Sequence, residues 1–189
     1  QRQMCIRDRD KFMAAVRANV DKLKKSSVTG DALPKYGTAV LVNIINKHGI
    51  LPTKNFRDGV FEKAHEISGE KMKQTILIGT EGCFACPIRC KRVVRAREPY
   101  ATDPDYGGPE YEAIAALGSL CGISDLNAIA YGNQLCNAYG LDTISTGVVI
   151  AFAMECYERG IITKEDTGGL EIRFGDEKVM IKLIEMIAK

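Results

Sequence analysis

Apolar residues recur at helical spacing along most of the chain. Phe12, Val16, Val20 and Leu23 return every three or four positions, which is typical of one apolar face of an amphipathic helix. Similar patterns follow, bounded by Gly, Pro, Asp and Ser where helices commonly begin or end. The predicted helices cover residues 10–25, 37–47, 58–67, a short stretch after Ser68, 109–121, 124–139, 142–159 and 176–188.

Helix boundaries are predicted from residues that favour them. Caps are placed at Asp58, Ser124, Gly140 and Asp142 or Thr143, with Pro109 as a first helical residue. Two short apolar runs, residues 76–78 and 93–94, are predicted to be extended. The expected fold is mainly α, a multi-helix domain with a cysteine-rich loop and few or no short strands.

The loop contains three cysteines in the run Cys83-Phe-Ala-Cys86-Pro-Ile-Arg-Cys90. This spacing brings three sulfur atoms around one point, and clustered thiolates bind soft metals, form disulfides or oxidise. The neighbouring basic residues favour thiolate over thiol: Arg89, Lys91, Arg92, Arg95 and Arg97. A structural zinc site would need a second pair of ligands. The spacing therefore favours an iron–sulfur cluster, with zinc and a role without metal left open.

Composition limits the class of protein. The 189 residues can bury a core, and 46% hydrophobic with 26% charged residues is an ordinary soluble balance. A net charge of +2 is too small to indicate nucleic acid or an anionic membrane, and no apolar run is long enough to cross a bilayer. Seven cysteines with no visible secretory leader indicate a reducing, cytoplasmic location.

The predicted domain covers residues 10–189. Residues 1–9 show no pattern continuous with the first helix, so a non-native or disordered stretch is expected there and Cys5 is excluded from any site. The later cysteines, Cys121, Cys136 and Cys156, fall within apolar helical patterns and are expected to be packed thiols.

Polar residues interrupt two predicted apolar faces. In the helix over 124–139, the stripe of buried positions reaches Asn133 and Asn137, so two amides are expected on its inward side. Such amides bond either to neighbouring groups or to a ligand. Glu112 shares a helix face with the small residues Ala115, Ala116 and Ser119, which would allow another body to approach its carboxylate. A first-turn Glu that stabilises the helix dipole explains the same position.

Five stretches together resemble the tungsten- or molybdenum-dependent aldehyde ferredoxin oxidoreductase family. They are Leu-Pro-Lys-Tyr-Gly-Thr at 33–38, Leu-Pro-Thr-Lys-Asn-Phe at 51–56, the cysteine run, Gly-Gly-Pro-Glu-Tyr-Glu at 107–112 and Asn-Ala-Tyr-Gly-Leu-Asp-Thr-Ile-Ser at 137–145. The resemblance runs from about residue 10 to the end.

The resemblance implies roles for particular residues. Cys83, Cys86 and Cys90 would be three of the four ligands of a [4Fe–4S] cluster. One pterin of a tungsten (or molybdenum) bis-pterin centre would bind to the turn through Asn137, Leu141 and Asp142. The family motif often has Asp at the first of these positions, and Asn137 replaces it here. Glu112 would handle the proton of the attacking water.

The implied reaction is oxidation of an aldehyde to a carboxylic acid, with ferredoxin as electron acceptor. Family members also have an N-terminal domain and a C-terminal domain, which brings the fourth cysteine, a second pterin turn and a histidine. This chain resembles the middle helical domain, and such a fragment is expected to be inactive alone. Two alternatives are a stand-alone iron–sulfur carrier that recruits Cys121, Cys136 or Cys156, and a zinc-stabilised helical binding module.

Overall fold

The computed structural model describes residues 8–189 and is mainly α, as predicted. Residues 1–7, with Cys5, lie outside the described part. The helices are α1 (Arg9–Lys25), α2 (Leu33–Tyr36), α3 (Leu41–Lys47), α4 (Gly69–Thr75), α5 (Tyr111–Leu117), α6 (Leu126–Tyr139), α7 (Thr143–Glu158) and α8 (Glu177–Ile187). Two short strands, β1 (Leu77–Glu81) and β2 (Lys91–Val94), form an antiparallel hairpin.

Helices α5 to α8, the helical core of the molecule, pack α5 against α7 and α6 against α8. A Cβ atom at Gly147 would lie 2.6 Å from the carbonyl oxygen of Ala116, so only glycine permits the observed approach of α7 to α5. The core between these helices is built from side chains that are almost wholly removed from water: Ile114, Leu117, Ile129, Ile150, Met154, Met180 and Ile184.

Aspartates begin the long helices of the core. Asp125 accepts hydrogen bonds from the amides of Asn127 and Ala128, so the cap lies one residue after the predicted Ser124. Asp142 caps α7 through the amide of Ser145, as one of the two predictions had it. The prediction of Pro109 as the first helical residue is wrong, because α5 begins two residues later and its N-cap is Glu110.

The predicted helix over 58–67 is wrong except for a final 3-10 turn, Ala64–Ile67. The backbone of Asp58 exchanges two hydrogen bonds with that of Thr53, which closes the segment between them as a tight loop. Three successive residues in this loop, Lys54, Asn55 and Phe56, have positive φ. Tertiary pairing of the backbone has therefore overridden the local signal of a helix cap.

The first helix differs from the core in what covers it. Helix α1 matches its predicted span closely, yet none of its residues is buried, and Phe12 is 65% exposed. Within residues 8–189, no single helix has both the length and the apolar composition to cross a membrane. Residues 111–121 and 126–139 reach that composition only as a pair bent by 118°.

Candidate cofactor and metal site

The cysteine loop, residues 82–90, joins β1 to β2 at the exposed end of the hairpin. The amide of Cys86 donates to the carbonyl oxygen of Cys83 at 3.0 Å, which forms a turn between the first two cysteines. Ala85 has a positive φ, as has Arg89 just before the third cysteine, Cys90. All three thiols are free; the first is exposed and the other two are half-buried.

The donor set of this loop fits a thiophilic metal or an iron–sulfur cluster. Three thiols on one turn supply soft ligands. Within residues 8–189, however, no three side chains of His, Cys, Asp or Glu converge in a geometry that could hold a metal ion. The fit therefore concerns the kind and number of donors, and the loop would have to close around the group it binds.

Two of the three remaining described cysteines, Cys121 and Cys136, are poor candidates for a fourth ligand, whereas Cys156 is half-buried on α7. Cys121 is fully buried, and its thiol donates to the carbonyl oxygen of Ala116. Burial raises the pKa of Cys121 far above its ordinary value, and it also raises the pKa of the buried Cys136. Both groups are held as neutral thiols within the helical core, which disfavours recruitment of either by the exposed loop.

Arg92 lies behind the cysteine loop, in the interior. Its side chain is only 2% exposed, and its guanidinium donates to carbonyl oxygens on both sides. Burial lowers the pKa of Arg92, an effect that the charges of Glu110 and Cys90 oppose. The sequence marked this arginine only as one of several basic neighbours of the loop, and no feature of its pattern distinguished it from the exposed Lys91.

Glu112 lies in the first turn of α5, and the start of that helix is held by another segment. The hydroxyl of Thr38 accepts a hydrogen bond from the amide of Tyr111 at 2.8 Å and donates its own proton to the carboxylate of Glu110. Thr38 therefore acts as a cap supplied from outside the helix. Its role was not predicted, because a cap that is distant in sequence leaves no local signal.

The exposed Glu112 borders an apolar groove of 170 Å³, here called the Glu112 groove. Its other lining residues are Pro52, Phe56, Tyr111, Ala115, Ala116, Leu120, Ile144 and Val148. Burial, with the nearby charge of Glu112, raises the pKa of the Tyr111 phenol, so this group stays neutral at ordinary pH.

The small residues near Glu112 are partly used for packing. Ser119 donates from its hydroxyl to the carbonyl oxygen of Pro52 at 2.7 Å, and Ala115 and Ala116 are buried. The face of α5 that bears these small residues therefore packs against the 51–58 loop and α7. The Glu112 groove is the space that remains beside this contact. Two larger clefts, of 640 and 570 Å³, share Lys54 and Gly122 and are lined by none of the predicted site residues.

The turn over 137–142 is exposed except for Leu141, which is half-buried. Asn133 is buried as predicted, but the prediction that Asn137 faces inward is wrong: its amide donates to the carbonyl oxygen of Tyr106 at 3.3 Å in an exposed position. The last turn of α6 extends beyond the packed part of the helix, so helical periodicity no longer implies burial there.

The Asp142 carboxylate is held by the backbone of the next helix. The amide of Ser145 donates to Asp142 at 2.7 Å, and this bond lowers the pKa of the carboxyl group. Ile144, two residues beyond Asp142, lines the Glu112 groove. The packing of α5 on α7 thus places the 137–142 turn and Glu112 at neighbouring parts of one surface.

Comparison with known proteins identifies the class. Residues 14–189 match the family model described as aldehyde ferredoxin oxidoreductase, domains 2 and 3. The chain therefore belongs to the aldehyde ferredoxin oxidoreductase family, which confirms the resemblance noted in the sequence.

Curated relatives agree with this assignment. The chain is 51% identical over 187 residues to a tungsten-containing aldehyde ferredoxin oxidoreductase of Pyrococcus abyssi, covering 97% of this chain and 30% of that protein. It is 50% identical over 184 residues to the protein of the same name from Thermococcus kodakarensis, with the same coverage. A more distant match, 38% identical over 106 residues, is the WOR-like subunit of an aliphatic sulfonate oxidoreductase of Pyrococcus furiosus; it covers 56% of this chain and 17% of that protein. The chain thus spans about 30% of the length of the first two relatives.

Proposed function

We propose that this chain supplies cluster ligands and one pterin-binding turn to an enzyme that oxidises aldehydes to carboxylic acids. The observation that carries the proposal is the segregation of thiols: Cys83, Cys86 and Cys90 share one accessible loop, whereas Cys121 and Cys136 are sealed in the core. Membership of the family supports the same assignment. A packing role would leave the loop thiols without a purpose, because two of them are only half-buried and one is exposed.

The loop thiolates would hold a [4Fe–4S] cluster as three of its four ligands. Asn137, Leu141 and Asp142 would hold one pterin of a tungsten or molybdenum bis-pterin centre. The exposure of Asn137 and Asp142 supports this role, because a turn with accessible amide and carboxylate groups can bond to the edge of a heterocycle. When bound, the metal centre supplies two-electron oxidation and the cluster supplies single-electron transfer.

Glu112 would act on protons. Conversion of RCHO and H₂O to RCOOH releases two electrons and two protons, and a carboxylate beside the reacting carbon can accept a proton from the water oxygen as it attacks. Glu112 is suitable because it stands at the mouth of an apolar groove. The groove walls would exclude bulk water from the aldehyde and contact its apolar part.

The remaining parts of the reaction are proposed to come from outside this chain. The C-terminal domain of the same enzyme would carry the fourth cysteine, a second pterin turn and a histidine, and its N-terminal domain would cover the other face of the metal–pterin centre. Ferredoxin would accept the electrons in the cytoplasm. The chain alone is expected to oxidise no aldehyde with a viologen dye, because the metal–pterin centre would be incomplete.

The cluster assignment is tested by metal analysis of chain purified and reconstituted without oxygen. Iron and acid-labile sulfide near four each per chain, with a reduced-cluster EPR signal after dithionite, are expected. Replacement of Cys83, Cys86 and Cys90 by Ser should remove both iron and sulfide. Cys156→Ser is the control and should retain them, because Cys156 lies on α7 and not in the cysteine loop. Zinc without sulfide, or equal iron in the triple variant, would overturn the proposal.

A further inference from the structure

The buried guanidinium behind the cysteine loop joins two segments that are far apart in sequence. On the loop side, Arg92 donates to the carbonyl oxygens of Cys90 at 3.1 Å and Arg89 at 3.0 Å. On the other side, it donates to those of Pro34 at 3.0 Å and Leu33 at 3.4 Å. Among the described residues no carboxylate forms a salt bridge with it.

The backbone around Arg92 is shaped to admit the side chain. Gly37 has φ +63°, and a Cβ atom there would lie 2.9 Å from both the Arg92 Nε and the Cys90 carbonyl oxygen. A Cβ at Gly108 would lie 3.0 Å from the Cβ of Arg92. Burial of a cation without an ion pair is unfavourable unless its donors are satisfied. Carbonyl groups from two segments satisfy them here.

The same segment leads to the candidate catalytic helix. Thr38 follows Gly37 directly, and its hydroxyl bonds both the amide of Tyr111 and the carboxylate of Glu110. The contacts therefore run from the third cysteine through Arg92 to the 33–38 segment, and from there to the first turn of α5, which carries Glu112.

We propose that Arg92 is a positioning residue for Cys90, clamping the end of the cysteine loop to the 33–38 segment. This inference rests on the proposed function, in which Cys90 is a metal ligand. The planar guanidinium spans both segments because its donors point in several directions in one plane. A lysine would keep the charge but could not bond the same set of carbonyls. The clamp thus fixes where the third thiolate stands before any metal binds.

The test compares Arg92→Lys and Arg92→Met with Lys91→Met in the 189-residue chain. Lys91 is the matched control, because it is the adjacent, exposed residue of β2 and its replacement also removes a charge beside Cys90. Two measurements are made: hydrogen exchange of the 82–91 amides without metal, and titration with Co²⁺ alone, followed by the thiolate-to-cobalt absorption band.

Both Arg92 variants are expected to bind Co²⁺ about 10-fold or more weakly than the wild type. They should also exchange the 82–91 amides at least about 10-fold faster, with α5–α8 protection retained. Lys91→Met should match the wild type in both measurements.

Recovery of wild-type values by Arg92→Lys would overturn the proposal, because charge alone would then suffice. Loss of protection throughout α5–α8 in Arg92→Lys would also overturn it, because Arg92 would then support the whole domain. If the wild-type chain bound no Co²⁺ while the exchange difference persisted, the metal assignment would fail and the clamp would stand.

Discussion

The helical core carries Glu112 and the 137–142 turn on closely packed helices, whereas the β1–β2 hairpin carries Cys83, Cys86 and Cys90 on a loop at its exposed end. In the core, capped helices are packed so closely that Gly147 leaves no room for a methyl group, and Glu112 and the 137–142 turn project from its edge. In the hairpin, Ile78 is 51% exposed and Phe84 is fully exposed. The core is therefore a closely packed support for polar groups, whereas the tip of the hairpin has few buried contacts; in β2, Arg92 and Val94 are the buried residues.

The two regions also reverse direction differently. Helix α6 ends at Gly140, which has φ +70° and no neighbouring atom to obstruct it. The cysteine loop instead places Ala85 and Arg89 in the left-handed region, where a side chain is unfavourable. Conformations of this kind concentrate at functional sites, and here they set the path of the backbone between the three thiols.

The largest expected difference between the regions is in thiol reactivity. Iodoacetamide, applied to reduced chain without oxygen, should label Cys83 at least about 1,000-fold faster than Cys121. Cys121 reacts only when the core opens, and burial raises its thiol pKa. The rates are measured by peptide mass spectrometry over a time course.

Chain unfolded in urea is the control, since all its cysteines should then react at similar rates. If Cys121 in the folded chain reacted within 10-fold of Cys83, the core would open almost as readily as the loop, and the contrast would be lost.

A second prediction concerns the close approach of α5 and α7. Gly147→Ala should lower the free energy of unfolding by about 2–3 kcal/mol, because the new methyl group meets the backbone of Ala116, which cannot move aside easily. Chemical denaturation measures the loss. Gly160→Ala is the control: Gly160 has φ +68° and nothing near it, so its cost is conformational, about 1 kcal/mol. Equal losses would show that backbone conformation, rather than interhelical packing, limits this core.

The core was the more predictable region because its signals are local. Apolar periodicity and nearby aspartates indicate α6, α7 and α8, and the caps at Asp142 and Gly140 follow from residue type. Asp58 shows the limit of such signals. The same residue type caps a helix at Asp142 but pairs with Thr53 here, since tertiary backbone hydrogen bonds can replace those of a helix.

The site was predictable in its residue types but not in its connections. The cysteines and Glu112 stand out by spacing and by position in a helix. Thr38 and Arg92 act across 73 and 58 residues of sequence, respectively, so no periodicity or short motif could reveal their partners. Asn137 was misplaced because periodicity gives the direction of a side chain, whereas burial depends on where the neighbouring helices end.

A smaller effect is expected where core and turn meet. Asp142→Ala should lower the Tm by about 3 °C at neutral pH, because the amide of Ser145 loses its acceptor. The hydrogen bond from that amide lowers the folded-state pKa of Asp142 below the ordinary value of about 3.9. The charged cap therefore stabilises the fold fully above that value, and the stabilisation is lost as the pH falls through the folded-state pKa.

Thermal unfolding measured from about pH 7 down to about pH 2 checks this sign. Asp142→Asn is the informative comparison, since an amide oxygen can still cap the helix without charge. The wild-type advantage over Asp142→Asn should shrink towards low pH. An advantage that grew on acidification would show that the neutral carboxyl group is the better cap.

The smallest effect is expected at the tip of the hairpin. Phe84→Ser should change the free energy of unfolding by no more than about 0.5 kcal/mol, because a ring that is already fully exposed loses no burial. Phe61→Ser is the matched control: Phe61 is only 7% exposed, and its loss should cost about 3 kcal/mol. Urea denaturation of both variants gives the comparison.

A cost above about 1 kcal/mol at Phe84 would mean that the cysteine loop packs on the domain after all. A neutral result would show that this ring contributes nothing to the stability of the chain itself, whereas the buried Arg92 and Val94 of β2 anchor the base of the hairpin.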